Sequence, residues 1–102
     1  MIKKIVVTGG DGRFAQELRK IKSKYKFFFR NRRQLNILSP RSIKKNFTIF
    51  QPDCVVHLAG LSRPMSIHEK KINLSIDLNI MGTANLVKIC NEKKIKIIFF
   101  ST

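Results

Sequence analysis

Lys4-Ile5-Val6-Val7-Thr8-Gly9-Gly10-Asp11-Gly12-Arg13-Phe14-Ala15 is the stretch on which the fold turns. Its short β-branched run enters a glycine cluster, so it reads as a buried strand running into a tight turn. From Gly12 onward, Phe14, Leu18 and Ile21 recur at i, i+4 and i+7, the spacing of one helix face. The turn has the spacing T-G-x-x-G-x-x-G, with Ala15 in the third glycine position. In such a turn Gly9 permits the tight bend and Gly12 lets a pyrophosphate approach the backbone. Ala15 is small enough for close helix–strand packing. The following helix start offers unpaired N–H groups and the positive end of its dipole to phosphate oxygens. Gly9, Asp11, Gly12, Arg13 and Phe14 are therefore assigned to a dinucleotide-binding site, against the plainer alternative of a structural turn.

Outward from this unit, strand-like and helix-like segments alternate. Tyr25 to Phe29 is aromatic-rich and reads as a second strand, and a brief third one is expected at Gln34 to Leu38. Ser39-Pro40 begins a helix, with serine as N-cap and proline at the first helical position, where its missing N–H costs nothing. Ile43, Phe47 and Phe50 continue it on one face and Pro52 closes it. Asp53 to Leu58 is a further buried strand. A long helix is expected from Ser75 to Glu92 with Ile76, Ile80, Ala84 and Val87 on one apolar face, and Ile95 to Phe100 forms a last strand. The order βαββαβαβ predicts one α/β domain over residues 1–102, a Rossmann-like parallel sheet of about five strands with helices on both faces.

Composition narrows the partners. Lys and Arg number 21 against 6 acids, a formal charge of +15. Nine of the basic residues lie between Arg13 and Arg33, where Glu17 is the only acid. Such a field attracts polyanions without choosing among them. The remaining lysines are scattered, which favours a solvated surface over a nucleic-acid stripe, and the phenylalanines fall on core faces. The first apolar run, Ile5 to Val7, is too brief for a signal peptide, and no stretch approaches the roughly 18 apolar residues that span a bilayer. A cytoplasmic protein without a membrane partner is expected, with Cys54 and Cys90 as reduced, mostly buried thiols. His57 on its apolar strand reads as a packed histidine. No metal site is expected, because His68-Glu69 is followed by Ile72 where an H-E-x-x-H helix needs its second histidine.

Several segments, in register along the whole chain, resemble the extended, sugar-nucleotide-modifying short-chain dehydrogenase/reductases. The glycine turn is one. Val55-Val56-His57-Leu58-Ala59-Gly60 resembles the family's fourth strand, and the resemblance implies that the cofactor lies against Leu58, Ala59 and Gly60. Asn79-Ile80-Met81-Gly82-Thr83-Ala84-Asn85-Leu86 is similar to the family's N-x-x-G-T-x-N-L helix, which implies a cofactor-side role for Asn79. Phe99-Phe100-Ser101-Thr102 resembles the end of strand 5, implying that Thr102 is the catalytic hydroxyl. Leu35-Asn36-Ile37-Leu38-Ser39-Pro40 resembles the L-D-I-x-D-P element of dTDP-4-dehydrorhamnose reductase-like members, implying adenine contacts from Asn36 and Ile37.

The cofactor implied is a nicotinamide dinucleotide. An NAD site carries an acid about 20 residues past the glycine motif for the ribose 2′-hydroxyl. Here the place reads Arg30-Asn31-Arg32-Arg33. Guanidinium groups bind a 2′-phosphate by charge-assisted hydrogen bonds, so NADP is expected over NAD, with Arg30, Asn31 and Arg32 in contact. The resemblance implies the cofactor half of a nucleotide-sugar reductase, a nucleotide-sugar being the substrate of the whole family architecture. An epimerase or dehydratase portion and a non-catalytic dinucleotide-binding module are the alternatives. The family's Tyr-x-x-x-Lys pair has no counterpart, since the only tyrosine is Tyr25. The expectation is a fragment or truncated product that does not turn over substrate alone and self-associates through an exposed last strand.

Overall fold

The computed structural model describes residues 3–58 and 72–99. Its elements are β1 (Lys4–Thr8), α1 (Arg13–Arg19), β2 (Lys26–Arg30), α2 (Pro40–Phe50), β3 (Cys54–His57), α3 (Ile72–Glu92) and β4 (Lys96–Phe99). The strands form one parallel sheet in the order β2-β1-β3-β4. Register pairs Val6 with Phe28 and Val55, and Val55 with Ile97, so these four residues share one face. That face carries the larger core, where Val6 and Val55 meet Ile43 and Phe47 of α2 and Leu86, Ile89 and Cys90 of α3. On the opposite face Val7 and Val56 pack with Ala15 of α1, flanked by Leu18, Phe27 and Phe29. Helices therefore cover both faces, as expected of a parallel sheet.

α2 forms where its punctuation places it. The Ser39 hydroxyl accepts from the Ser42 N–H at 3.2 Å, Pro40 opens the first turn, and Gln51 ends the helix in the left-handed region at φ 46°. Ile43 and Phe47 are buried and Phe50 half-buried, as their spacing implies.

Three expectations are corrected. Among the described residues there are four strands, not five, because Gln34 to Leu38 is a succession of turns. Polar side chains there take the hydrogen bonds that a strand would give its neighbour. Asn31 Oδ1 accepts from the Gln34 N–H, Gln34 Oε1 from the Asn31 N–H, and Asn36 Oδ1 from the Leu38 N–H. The buried face of α1 centres on Ala15, with Phe14 and Ile21 exposed. On α3, Ile80, Ala84 and Val87 are exposed, Leu86, Ile89 and Cys90 pack with the sheet, and Gly82 is buried.

Cys54 and Cys90 are free thiols. Burial raises both above the ordinary thiol range, Cys90 to about 11, so both stay protonated at neutral pH. No described helix is long and apolar enough to cross a membrane. β4 is an edge strand of the described sheet, with Ile98 and Phe99 exposed.

Candidate functional site

Parallel register brings the carboxyl ends of all four strands into one row, Arg30, Thr8, His57 and Phe99 in spatial order. β1 lies in the middle, and the chain leaves it toward β2 and then crosses back to β3. This makes the β1/β3 boundary a topological switch point, where open α/β sheets form a crevice. The glycine turn sits at this end. Gly9 has φ 67°, a left-handed conformation that a side chain disfavours. The Gly12 N–H bonds back to the Gly9 carbonyl at 3.0 Å, and Gly12 is the N-cap of α1 with no side-chain cap. No acid occupies the first turn of α1, and Asp11, Arg13 and Phe14 are exposed. A backbone turn of this shape with no acid in the helix start suits an anion.

Gly10, which no motif spacing marks, is packed against the backbone of β2. A Cβ there would lie 2.9 Å from the Arg30 nitrogen and 3.1 Å from its carbonyl carbon and oxygen. The Gly10 N–H donates to the Arg30 carbonyl at 2.9 Å, and Arg19 Nη2 donates to the Gly10 carbonyl at 3.3 Å. The Arg19 guanidinium carbon stands 4.2 Å from the centre of the Phe29 ring, so α1 clamps the turn against β2.

At the switch point, Thr8 Oγ1 lies 2.7 Å from His57 Nδ1, and His57 Nε2 lies 3.0 Å from Thr83 Oγ1. Thr8 Oγ1 also accepts from the Leu58 N–H at 3.0 Å. One imidazole thus joins β1, β3 and α3. His57 is buried, its edge meets Phe99 in a T-shaped contact, and burial lowers its pKa. The ring is held neutral, so one nitrogen donates and the other accepts.

The helix motif around Gly82 has a structural account. A Cβ on Gly82 would come within 2.5 Å of the Ile37 side chain. Asn85 Nδ2 donates to the Ile37 carbonyl at 3.1 Å, and Leu86 is fully buried. Ile37 is therefore a packing residue that docks the Asn36 turn onto α3. Gly82→Ala is expected to lower stability by about 1 kcal/mol in urea unfolding, because overpacking outweighs the helix-propensity gain. A gain in stability would remove this contact from the account.

Of the remaining expected site residues, Arg30 is half-buried, with Nε donating to Asn46 Oδ1 at 3.1 Å and its guanidinium 4.9 Å from the Phe50 ring centre. Arg32 is exposed. Asn31 and Asn36 have their side-chain oxygens committed to local backbone, as described above. Leu58 is buried and Asn79 half-buried on α3. Ala59, Gly60 and Thr102 lie outside the described residues, as do His68 and Glu69. No group of three or more His, Cys, Asp or Glu side chains suited to a metal occurs among the described residues.

A doubly wound parallel sheet with a glycine turn at its switch point defines the Rossmann class of α/β domain. Within it, the chain belongs to the family described as the RmlD substrate binding domain, which matches residues 3–102. A comparison with curated protein sequences finds no match. Among solved structures, the fold is shared with a dTDP-4-dehydrorhamnose reductase from Bacillus anthracis in complex with NADP. That match has TM-score 0.82 and 18% identity over 95% of this chain and 35% of that one. A GDP-L-fucose synthetase from Naegleria fowleri bound to NADP has TM-score 0.73 and 24% identity, covering 95% of this chain and 33% of that one. The GDP-mannoheptose C4 reductase MlghC from Campylobacter jejuni, with NADP bound, has TM-score 0.76 and 20% identity over 98% and 33%. The chain spans about a third of the length of these proteins.

Proposed function

We propose that the chain is the NADP-binding portion of a nucleotide-sugar reductase, with the crevice at the β1/β3 boundary as its cofactor site. The observation that carries the reading is the left-handed Gly9 turn feeding an α1 start free of acids, beside a β2 end that presents arginine. Membership of the family and the NADP-bound neighbours support it. The residues fit the group. The Gly9–Gly12 turn and the first N–H groups of α1 would hold the pyrophosphate, and Arg30 with Arg32 the ribose 2′-phosphate. From Leu35 at position 35 back to Leu18 and forward to Pro52 there is no Asp or Glu to repel that dianion. Bound NADPH supplies a hydride; the described residues bind and orient its adenosine half.

The test is a titration of NADPH and NADH into the chain, followed by nicotinamide fluorescence. Saturable binding with NADPH tighter is expected, and absence of binding by either nucleotide overturns the proposal. Arg30→Ala is expected to weaken NADPH about tenfold and to leave NADH nearly unchanged, the scale of one charge-assisted hydrogen bond. Unchanged NADPH affinity would take Arg30 out of the site.

A further inference from the structure

We propose that Asn46, a buried residue of α2, determines the preference for NADP over NAD by fixing the Arg30 guanidinium in place. The inference rests on the cofactor site proposed above and adds to it a residue that no motif marks. Asn46 is 3% exposed. Its Nδ2 donates to the Gln34 carbonyl at 2.9 Å and to the Ser42 carbonyl at 2.8 Å, and its Oδ1 accepts from Arg30 Nε at 3.1 Å. The orientation of the amide is forced: two carbonyls can only accept and a guanidinium can only donate. Aspartate would turn an oxygen toward those carbonyls, and leucine would offer nothing to either side. Asparagine alone among residues of this size satisfies all three partners.

The consequence falls on Arg30. Asn46 holds its Nε–H, and Phe50, one helical turn beyond Asn46, lies beside its plane with the ring centre 4.9 Å from Cζ. Phe50 in turn rests on Phe28 of β2, with ring centres 4.5 Å apart. A guanidinium has five N–H donors, of which Asn46 takes one. Its terminal amino groups have no hydrogen-bond partner among the described residues. An arginine fixed through Nε and supported by a ring keeps its terminal fork available for the paired hydrogen bonds that phosphate accepts. Asn46 also grips the Gln34 carbonyl, and Gln34 and Asn31 bond reciprocally across the turn that carries exposed Arg32 and Arg33. One buried amide thus sets both Arg30 and the base of the basic turn, in a stretch from Leu18 to Pro52 that contains no acid. A phosphate monoester matches this arrangement, and a ribose hydroxyl gains little from it.

Asn46 is a positioning residue, so the diagnostic quantity is the ratio of NADPH to NADH affinity. A residue with a merely structural role changes both affinities together. Asn46→Leu is expected to reduce the ratio about tenfold while NADH affinity stays within twofold, in a variant whose circular dichroism shows it folded. A second variant, Arg30→Lys, keeps the charge and the fold but has neither an Nε for Asn46 to hold nor a plane to stack. It is expected to lose the ratio as fully as Arg30→Ala. If Arg30→Lys retains the wild-type ratio, or folded Asn46→Leu retains it, the inference is overturned. A wild-type chain that binds neither nucleotide overturns the cofactor site itself. Wild-type binding with NADPH preference and unaltered ratios in both variants overturns the role of Asn46 alone.

Discussion

Gly10→Ala is expected to destabilise the chain by about 3 kcal/mol, against a total of roughly 5–15 kcal/mol for a domain of ordinary stability. The added Cβ would meet the nitrogen, carbonyl carbon and oxygen of Arg30, all backbone atoms of a paired strand. A flexible side-chain tip could swing aside, whereas these atoms are held by the β1–β2 ladder. Relief requires lifting the turn from β2, which breaks the Gly10 N–H bond to Arg30 and the Arg19 bond to the Gly10 carbonyl. Overpacking of this kind costs about 1–3 kcal/mol, and a buried donor left unpaired adds about as much as one lost hydrogen bond. Urea unfolding reads the loss directly. A change below about 1 kcal/mol would mean that the turn does not press on β2. The position matters because the same displacement moves Arg30, so a folded Gly10→Ala variant should also lose preference for NADPH.

Gly10 shows where legibility ends. Gly9 and Gly12 stand out because a known turn geometry needs them; the need for Gly10 arises from contact with a residue 20 positions away, which no local spacing records. The same division runs through the fold. α2 is readable because its signals are local: a serine cap, a proline in the first turn, Pro52 beyond its end. The strands are readable as apolar runs. The faces of α1 and α3 are not, because both helices carry two apolar stripes and periodicity weighs size above closeness. On α1, small Ala15 lies against the sheet and Phe14 faces outward. On α3, Gly82 admits Ile37, Thr83 reaches His57 and Leu86 fills the core, a sequence of tertiary contacts that outweighs the Ile80–Ala84–Val87 stripe. The segment from Gln34 to Leu38 has the apolar spacing of a short strand, but the polar side chains of Asn31, Gln34 and Asn36 close on local backbone and hold it as turns. The glycine turn is visible in the sequence, and the contacts behind it and beside it, from Gly10, Arg19, Asn46 and Thr83, need the fold.

His57→Leu is the other substitution with a large expected effect, a loss of about 2–3 kcal/mol at pH 7.5. Leucine occupies a similar volume, so the cost comes from polar groups: Thr83 loses its partner, and Thr8 loses one of the groups that tie β1 to β3. The size of the loss should depend on pH, with a sign fixed by burial. Burial lowers the His57 pKa from its ordinary 6.5, so in the range below 6.5 the unfolded chain binds a proton that the folded chain resists. The stability that neutral His57 supplies is therefore complete above 6.5. It declines as pH falls from there toward the folded-state pKa, and levels off below it. The leucine variant lacks this slope, and every other titrating group is common to both proteins. The stability gap between wild type and His57→Leu should accordingly narrow between pH 7.5 and pH 5. A gap that stays constant or widens would place the ring in a solvated setting, and the tie between β1, β3 and α3 would then have to come from apolar packing alone.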